Sequence, residues 1–268
     1  FGSDLFIDSL VNNGTIENYA VRGSGFVVGN VLNNGDIIGT GDIQIYGTFI
    51  NDSSGTLQQA NINVASTTAS LISDASSLTG NIHNAGTLVL TGGTNNNIIS
   101  DFERIYGDLL INGNVISNRN INQDNLTVSS GSSFIKTAVA NFNDTILNNG
   151  SITNNGFTSA NRLINNSGAV VDNYYIFELY EGGINNGTIT GAPGRLQIYD
   201  DFTNLGSISQ NEVYLNNGLV QNNGSLNAGN LYISNSVEFR TYMDYVSANI
   251  SNDGMIITNG GTNTNTIA

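Results

Sequence analysis

Cysteine and tryptophan are missing from this sequence, and proline, histidine and lysine occur once each. Without cysteine there is neither a disulfide scaffold nor a zinc–thiolate centre. One histidine is too few for a transition-metal cluster of the usual ligands. A single proline, with no three-residue glycine period, excludes collagen. Charge is scarce as well: 7 basic and 21 acidic residues make up 10% of the chain and leave a formal charge of −14. Six arginines and Lys136 are scattered singly, so no basic stripe exists to displace counterions from a nucleic acid. Docking on an anionic membrane is excluded for the same reason. No apolar run approaches the roughly 20 residues of a membrane span. Residues 1–10 carry Asp4 and Asp8 and no basic start, unlike a signal peptide. The chain starts and stops in mid-pattern and reads as a fragment of a longer polypeptide.

Asparagine and glycine are what is abundant, at 46 and 32 residues. Both are poor helix formers, and the Glu, Lys and Arg that normally cover the solvent face of a helix are few, so a mainly helical protein is excluded. Hydrophobic residues at 39% suffice for a core and argue against disorder. An all-β chain with many turns remains.

A short phrase recurs along it: an aliphatic residue, Asn-Asn-Gly, a small residue, another aliphatic. It appears at Val11-Asn12-Asn13-Gly14-Thr15-Ile16, Leu32-Asn33-Asn34-Gly35-Asp36-Ile37 and Leu147-Asn148-Asn149-Gly150-Ser151-Ile152. It returns at Ile184-Asn185-Asn186-Gly187-Thr188-Ile189 and Gln221-Asn222-Asn223-Gly224-Ser225-Leu226, with looser copies at Gly55, Gly86, Gly113, Gly131, Gly168, Gly206 and Gly254. From Gly113 to Gly224 the intervals are 18 or 19 residues. Between the marks, apolar and polar residues alternate: Leu196, Ile198 and Phe202 interleave with Gln197 and Tyr199. Period-two alternation means half-buried strands. A sustained period near 19 means one solenoid coil per repeat, about three short strands joined by tight corners.

These observations predict a right-handed parallel β-helix of about 18–20 residues per coil, a single elongated domain over residues 1–268. Loop insertions are expected near 60–80, 91–105 and 235–250, where the spacing breaks. The corners are assigned to Asn13-Gly14, Asn34-Gly35, Asn149-Gly150, Asn186-Gly187 and Asn223-Gly224. Asn and Gly tolerate the positive φ that tight turns demand. Coils about 4.8 Å apart would let equivalent asparagines bond to one another as a ladder.

Phrases such as Leu147-Asn148-Asn149-Gly150-Ser151-Ile152 at this spacing, with few charges and no cysteine, resemble the repeat region of filamentous haemagglutinin-like adhesins. The passengers of autotransporter adhesins are similar. The resemblance covers nearly the whole chain but is one of repeat grammar, not of a catalytic signature. It implies a right-handed β-helical stalk displaying binding surfaces outside a Gram-negative cell. The Asn-Pro-Asn-Gly type motif of the two-partner secretion domain is missing. The one proline lies in Gly191-Ala192-Pro193-Gly194, which implies a place in the repeat region.

Right-handed β-helices also host polysaccharide lyases and glycosidases, and glycoside hydrolysis needs two carboxylates on one cleft. The candidates are Asp200 and Asp201, with Glu178 and Glu181 one coil earlier. The Gly-His-Gly and Arg-x-Lys elements of polygalacturonases do not occur. His83 reads as a solvated turn residue and Asp200-Asp201 as a solvated corner. Calcium is the remaining metal by ligand chemistry, but Asp-x-Asp and the Gly-Gly-x-Gly-x-Asp nonapeptide are missing, so neither metal nor cofactor is expected.

The tyrosines are more informative, since eight of eleven follow residue 173. Tyr180 and Tyr199 share one offset from their glycines, and Tyr214 and Tyr232 share another. With Leu179 and Ile198 inward, Tyr180 and Tyr199 point outward. Beside Glu178, Asp200 and Asp201 they form a candidate platform for a sugar or protein. The competing reading is an aromatic ladder that only ties coils together.

The expectation is a non-catalytic segment of a bacterial cell-surface or secreted adhesin, a stalk with a binding surface for host or bacterial cell-surface glycans or proteins, able to self-associate. The alternatives are a polysaccharide-active β-helix enzyme and a polysaccharide-binding or S-layer-type structural protein.

Overall fold

The structure, a computed structural model, describes residues 5–19, 25–242, 245–260 and 266–268. The described residues are all-β, 66% in strands, and form a parallel β-solenoid of about 13 turns of roughly 19 residues. It divides into two compact units, residues 1–127 and 128–268.

In each unit a coil supplies short strands that pair in parallel, position for position, with those of the coils before and after. In the first unit the register runs Ile43↔Ile62↔Ile82↔Ile99↔Ile121. All five side chains are buried, so one inward column is a continuous stack of isoleucines. In the second unit the equivalent column is Phe177↔Leu196↔Val213↔Leu231↔Ile250, also buried. Strand after strand, such as Ser70–Ser73, Thr87–Leu90 and Ile176–Leu179, alternates half-exposed and buried positions. Each fully buried aliphatic contributes about 1.5–3 kcal/mol, repeated at every coil.

The bends carry a second kind of order. Asn13-Gly14, Asn34-Gly35, Asn149-Gly150, Asn186-Gly187 and Asn223-Gly224 lie at or beside bends between consecutive strands. The preceding asparagine of each phrase, however, ends its strand with the side chain turned inward. In the second unit Asn148, Asn165, Asn185, Asn204 and Asn222 are buried, and each Nδ2 donates to the Oδ1 of the next at 2.7–2.8 Å. Asn222 closes the series on Thr241 Oγ1 at 3.1 Å. The other N–H of the amide donates to a backbone carbonyl beyond the next bend, as from Asn148 to Val170, Asn165 to Thr188, Asn185 to Ser207 and Asn204 to Ser225. Both amide protons are therefore used, and each bend is pinned to its neighbour. The first unit repeats the device through Asn12, Asn33, Asn51 and Ser73. Buried amides normally cost stability unless partnered, and here each partners the next.

The glycines answer a different demand from the one expected. Positive φ occurs at Gly131 and Gly168 but not at Gly14, Gly35, Gly150, Gly187 or Gly224. These corner glycines are short of room instead. A Cβ on Gly35 would lie 2.1 Å from Gly14 O, and one on Gly187 would lie 2.3 Å from Ala169 O. On Gly206 it would meet Gly187 O, and on Gly224 it would meet Gly206 O, each at 2.0 Å. At Gly14, in the first described coil, it would meet nothing within 4 Å. The close approach of stacked backbones selects glycine at Gly35, Gly187, Gly206 and Gly224, and positive φ selects it at Gly131 and Gly168, where nothing lies within 4 Å.

Where the period lengthens, the extra residues have structure of their own. Within 60–80 lie a turn closed by Ala69 N–H donating to Ser66 O and the 3₁₀ turn Ala75–Ser77, capped by Asp74. Within 91–105 are the strands Gly93–Asn95 and Ile99–Ser100, then a turn at Asp101 to Ile105 with Glu103 and Arg104 at positive φ. Within 235–250 are Val237–Thr241 and the start of Val246–Asn252; residues 243–244 lie outside the described set. His83 falls inside the strand Leu78–Asn84, not at the bend, which is Ala85-Gly86. Its Nδ1 stands 2.9 Å from Ser100 Oγ. The reading of His83 as a turn residue is corrected: the bend lies two residues later.

Candidate functional site

The outward tyrosines assemble on the second unit. Leu179 and Ile198 are buried, and the next residues, Tyr180 and Tyr199, turn outward with ring centroids 5.3 Å apart and planes tilted by 32°. Each hydroxyl donates back into its own strand, Tyr180 to Glu178 Oε2 and Tyr199 to Gln197 Oε1, both at 2.8 Å. The bond to the Glu178 carboxylate pushes the Tyr180 phenol up to about 12, and burial raises that of Tyr199. Both rings are neutral at physiological pH.

One register step further, Glu178↔Gln197↔Tyr214↔Tyr232 form an outward column. Tyr214 and Tyr232 stack at 4.4 Å and 15°. Arg195 covers the Tyr214 ring at 4.9 Å while its guanidinium pairs with Glu212 at 2.7 Å. Arg195 is thus a built part of this strip, where the sequence shows only an isolated charge. Tyr214 has a ring packed on one face and a cation over its plane, an arrangement that ties three coils together. Within this strip, Tyr180, 46% exposed, and Tyr199, half-buried, are left to meet a partner.

The carboxylates are placed differently from the rings. Asp201 Oδ1 accepts the Leu219 N–H of the following coil at 2.7 Å, and Asp200 Oδ1 accepts the Asp201 N–H at 2.9 Å. Asp200 is half-buried and Asp201 exposed. Both act as corner ties, as their position between the strands Arg195–Ile198 and Phe202–Asn204 suggests. Glu181 accepts a long bond from Asn161. Glu181 and Asp201 line one open hollow with Arg162, but among the described residues no three such groups stand together as a metal site.

Lys136, one of the singly scattered basic residues, lies inside the protein. It ends the strand Ser133–Lys136 with its side chain inward, 2% exposed. Nζ donates to Asn154 Oδ1 at 2.7 Å and to Phe157 O at 2.8 Å. It thereby heads a second buried series in which Asn154 bonds to Asn173 and Asn173 to Gln210. Burial lowers its pKa from the ordinary 10.5 to about 7. The folded chain holds this proton less tightly than the unfolded chain does. Lys136 therefore lowers stability in full below about pH 7, and the penalty is relieved as pH rises toward 10.5. Asn154 Oδ1 also accepts from Thr158 Oγ1, and Phe157 O from Ala140 N–H, so neither is orphaned if the amine is removed. Lys136→Met is expected to fold and to flatten the rise in urea midpoint between neutral and alkaline pH. An unchanged pH profile would show that the amine does not titrate in that window. The signal for Lys136 in the sequence was its position: it stands where other coils carry the ladder asparagine.

Comparison with known proteins found no matching family model, no similar curated protein and no similar solved structure.

Proposed function

We propose that this protein is a non-catalytic β-solenoid segment of a bacterial cell-surface or secreted adhesin, a stalk that carries a binding surface for glycans or proteins on host or bacterial cells. The observation that carries the proposal is how the polar side chains are used. The ladder asparagines and Asp201 are committed to joining one coil to the next, while Tyr180 and Tyr199 face outward. Repeat stability of this kind sums over neighbouring coils, which suits a spacer extended by adding repeats. The repeat grammar shared with filamentous haemagglutinin-like exoproteins supports the same reading, including export from the cell.

The test is display of the chain on a non-adherent bacterium. Adhesion to cultured cells or to a glycan surface is expected, and the Tyr180→Ala/Tyr199→Ala double variant is expected to reduce it several-fold at unchanged stability. Release of reducing sugar from a polysaccharide, abolished by Asp201→Ala, would overturn the proposal in favour of a polysaccharide-active enzyme.

A further inference from the structure

We infer that a groove on the second unit, separate in its residues from the tyrosine strip, is a binding site for a neutral oligosaccharide. The groove has a volume of about 470 Å³ and is lined by Asp172, Tyr174, Thr190, Ser209, Asn211 and Asn227, with the small residues Gly191, Ala192 and Gly229 between them and the buried Gln210 at its base. These residues come from four successive coils, so the groove crosses three coil spacings, about 14 Å. Parallel pairing sets the walls: Asp172 lies opposite Thr190, and Ser209 opposite Asn227.

Three observations select the ligand. First, the wall side chains are free, whereas the buried polar groups are paired almost without exception. The side chains of Asp172, Tyr174, Thr190, Ser209, Asn211 and Asn227 make no hydrogen bond within the protein, whereas the lining's one buried amide, Gln210, is paired with Asn173 at 2.8 Å and with Ser209 O. The wall therefore presents hydroxyl, amide and carboxylate groups that both donate and accept, in register with the coils. Second, the lining contains no Lys, Arg or His, and Asp172 is its one carboxylate. With a net charge of −14 on the chain, an anionic ligand is opposed both locally and by the overall field. Third, the lining has no large aliphatic side chain, so an apolar ligand gains little burial there. Tyr174, 43% exposed, offers one aromatic ring. A chain of uncharged polyhydroxylated rings meets all three conditions: its hydroxyls pair with the wall, and one C–H face packs on the tyrosine. The small lining residues Gly191, Ala192 and Gly229 let the rings approach the backbone.

The test is calorimetric titration of the whole chain with maltotriose, cellotriose and chitotriose, with a trigalacturonate as the acidic comparison. At least one neutral trisaccharide is expected to bind, more tightly than its monosaccharide. Tyr174→Ala and Asn211→Ala are each expected to weaken that binding by about tenfold. Both side chains are exposed and unbonded, so the urea midpoint should stay unchanged, which separates lost binding from lost folding. Tyr199→Ala should leave the affinity as it is. No binding of any neutral trisaccharide, preference for the acidic one, or indifference to both groove variants would overturn the inference. Loss on Tyr199→Ala alone would assign the sugar to the tyrosine strip instead, so failure of the groove and failure of the adhesive strip give different results.

Discussion

Replacing Asn204 with alanine is expected to destabilise the second unit by about 2–4 kcal/mol, while the same change at Asn223 stays within about 0.5 kcal/mol. Asn204 fills the first asparagine position of the looser phrase Thr203-Asn204-Leu205-Gly206, and Asn223 the second position of Asn222-Asn223-Gly224. Asn204 sits in mid-ladder: its Oδ1 accepts from Asn185 at 2.8 Å, and its Nδ2 donates to Asn222 Oδ1 at 2.7 Å and to Ser225 O at 3.0 Å. Truncation removes the donor to a buried carbonyl oxygen of Asn222 and strips the Asn185 amide of one of its two donor bonds, leaving the one to Ser207 O beside the bond its Oδ1 accepts from Asn165. Desolvated polar groups left without partners account for most of the loss, and the emptied volume adds to it. Asn223 is exposed, with no side-chain hydrogen bond to lose. Urea unfolding of the two variants side by side decides the matter. Equal effects would mean that the ladder carries no more stability than the surface of the bend.

The second large effect is expected at Gly206. Adding one methyl there places a carbon 2.0 Å from Gly187 O, with Asn186 C and Gly187 C at 2.9 Å. These are backbone atoms, which no rotamer change can move aside. The coils must separate or the bend must distort, and a cost of about 3 kcal/mol is expected, at the upper end of what overpacking produces. Gly14→Ala is the control of opposite sign. It has open space and no positive φ, so the variant is expected to be neutral or stabilised by about 0.4–1 kcal/mol through the stiffer unfolded chain. Gly168→Ala falls between them: nothing lies within 4 Å, but φ is 81°, and left-handed strain of about 1 kcal/mol remains. If the order Gly206, Gly168, Gly14 is not recovered in thermal unfolding, coil spacing is not what selects these glycines.

Much of this was legible in advance. Residues about 19 apart become neighbours when parallel strands stack, so a one-dimensional period maps directly onto a column in space. Ile43, Ile62 and Ile82, or Leu179 and Ile198, could be assigned inward from alternation alone, and Tyr180 and Tyr199 outward by the same rule. The ladder was legible as chemistry but not as residues. Within Asn-Asn-Gly the strand continues through the first asparagine before it bends, and only the backbone direction at that point shows which amide turns in. The site was legible less far. Glu178, Asp200 and Asp201 are near Tyr180 and Tyr199 in sequence, yet Asp201 serves the next coil's backbone and Asp200 its own. The groove escaped notice because its residues carry no motif; they share only a wall.

The sequence by itself determined the coil length, the parallel β-solenoid class and the inward aliphatic columns, because each is a local rule repeated at a constant interval and stacking preserves the interval. Only the tertiary structure decided which asparagine is buried, why the corner residue is glycine, that Lys136 lies inside, and where free polar side chains converge. Those depend on the rotation of each strand about its axis and on clearances of an ångström or two between one coil and the next, and spacing along a chain contains neither.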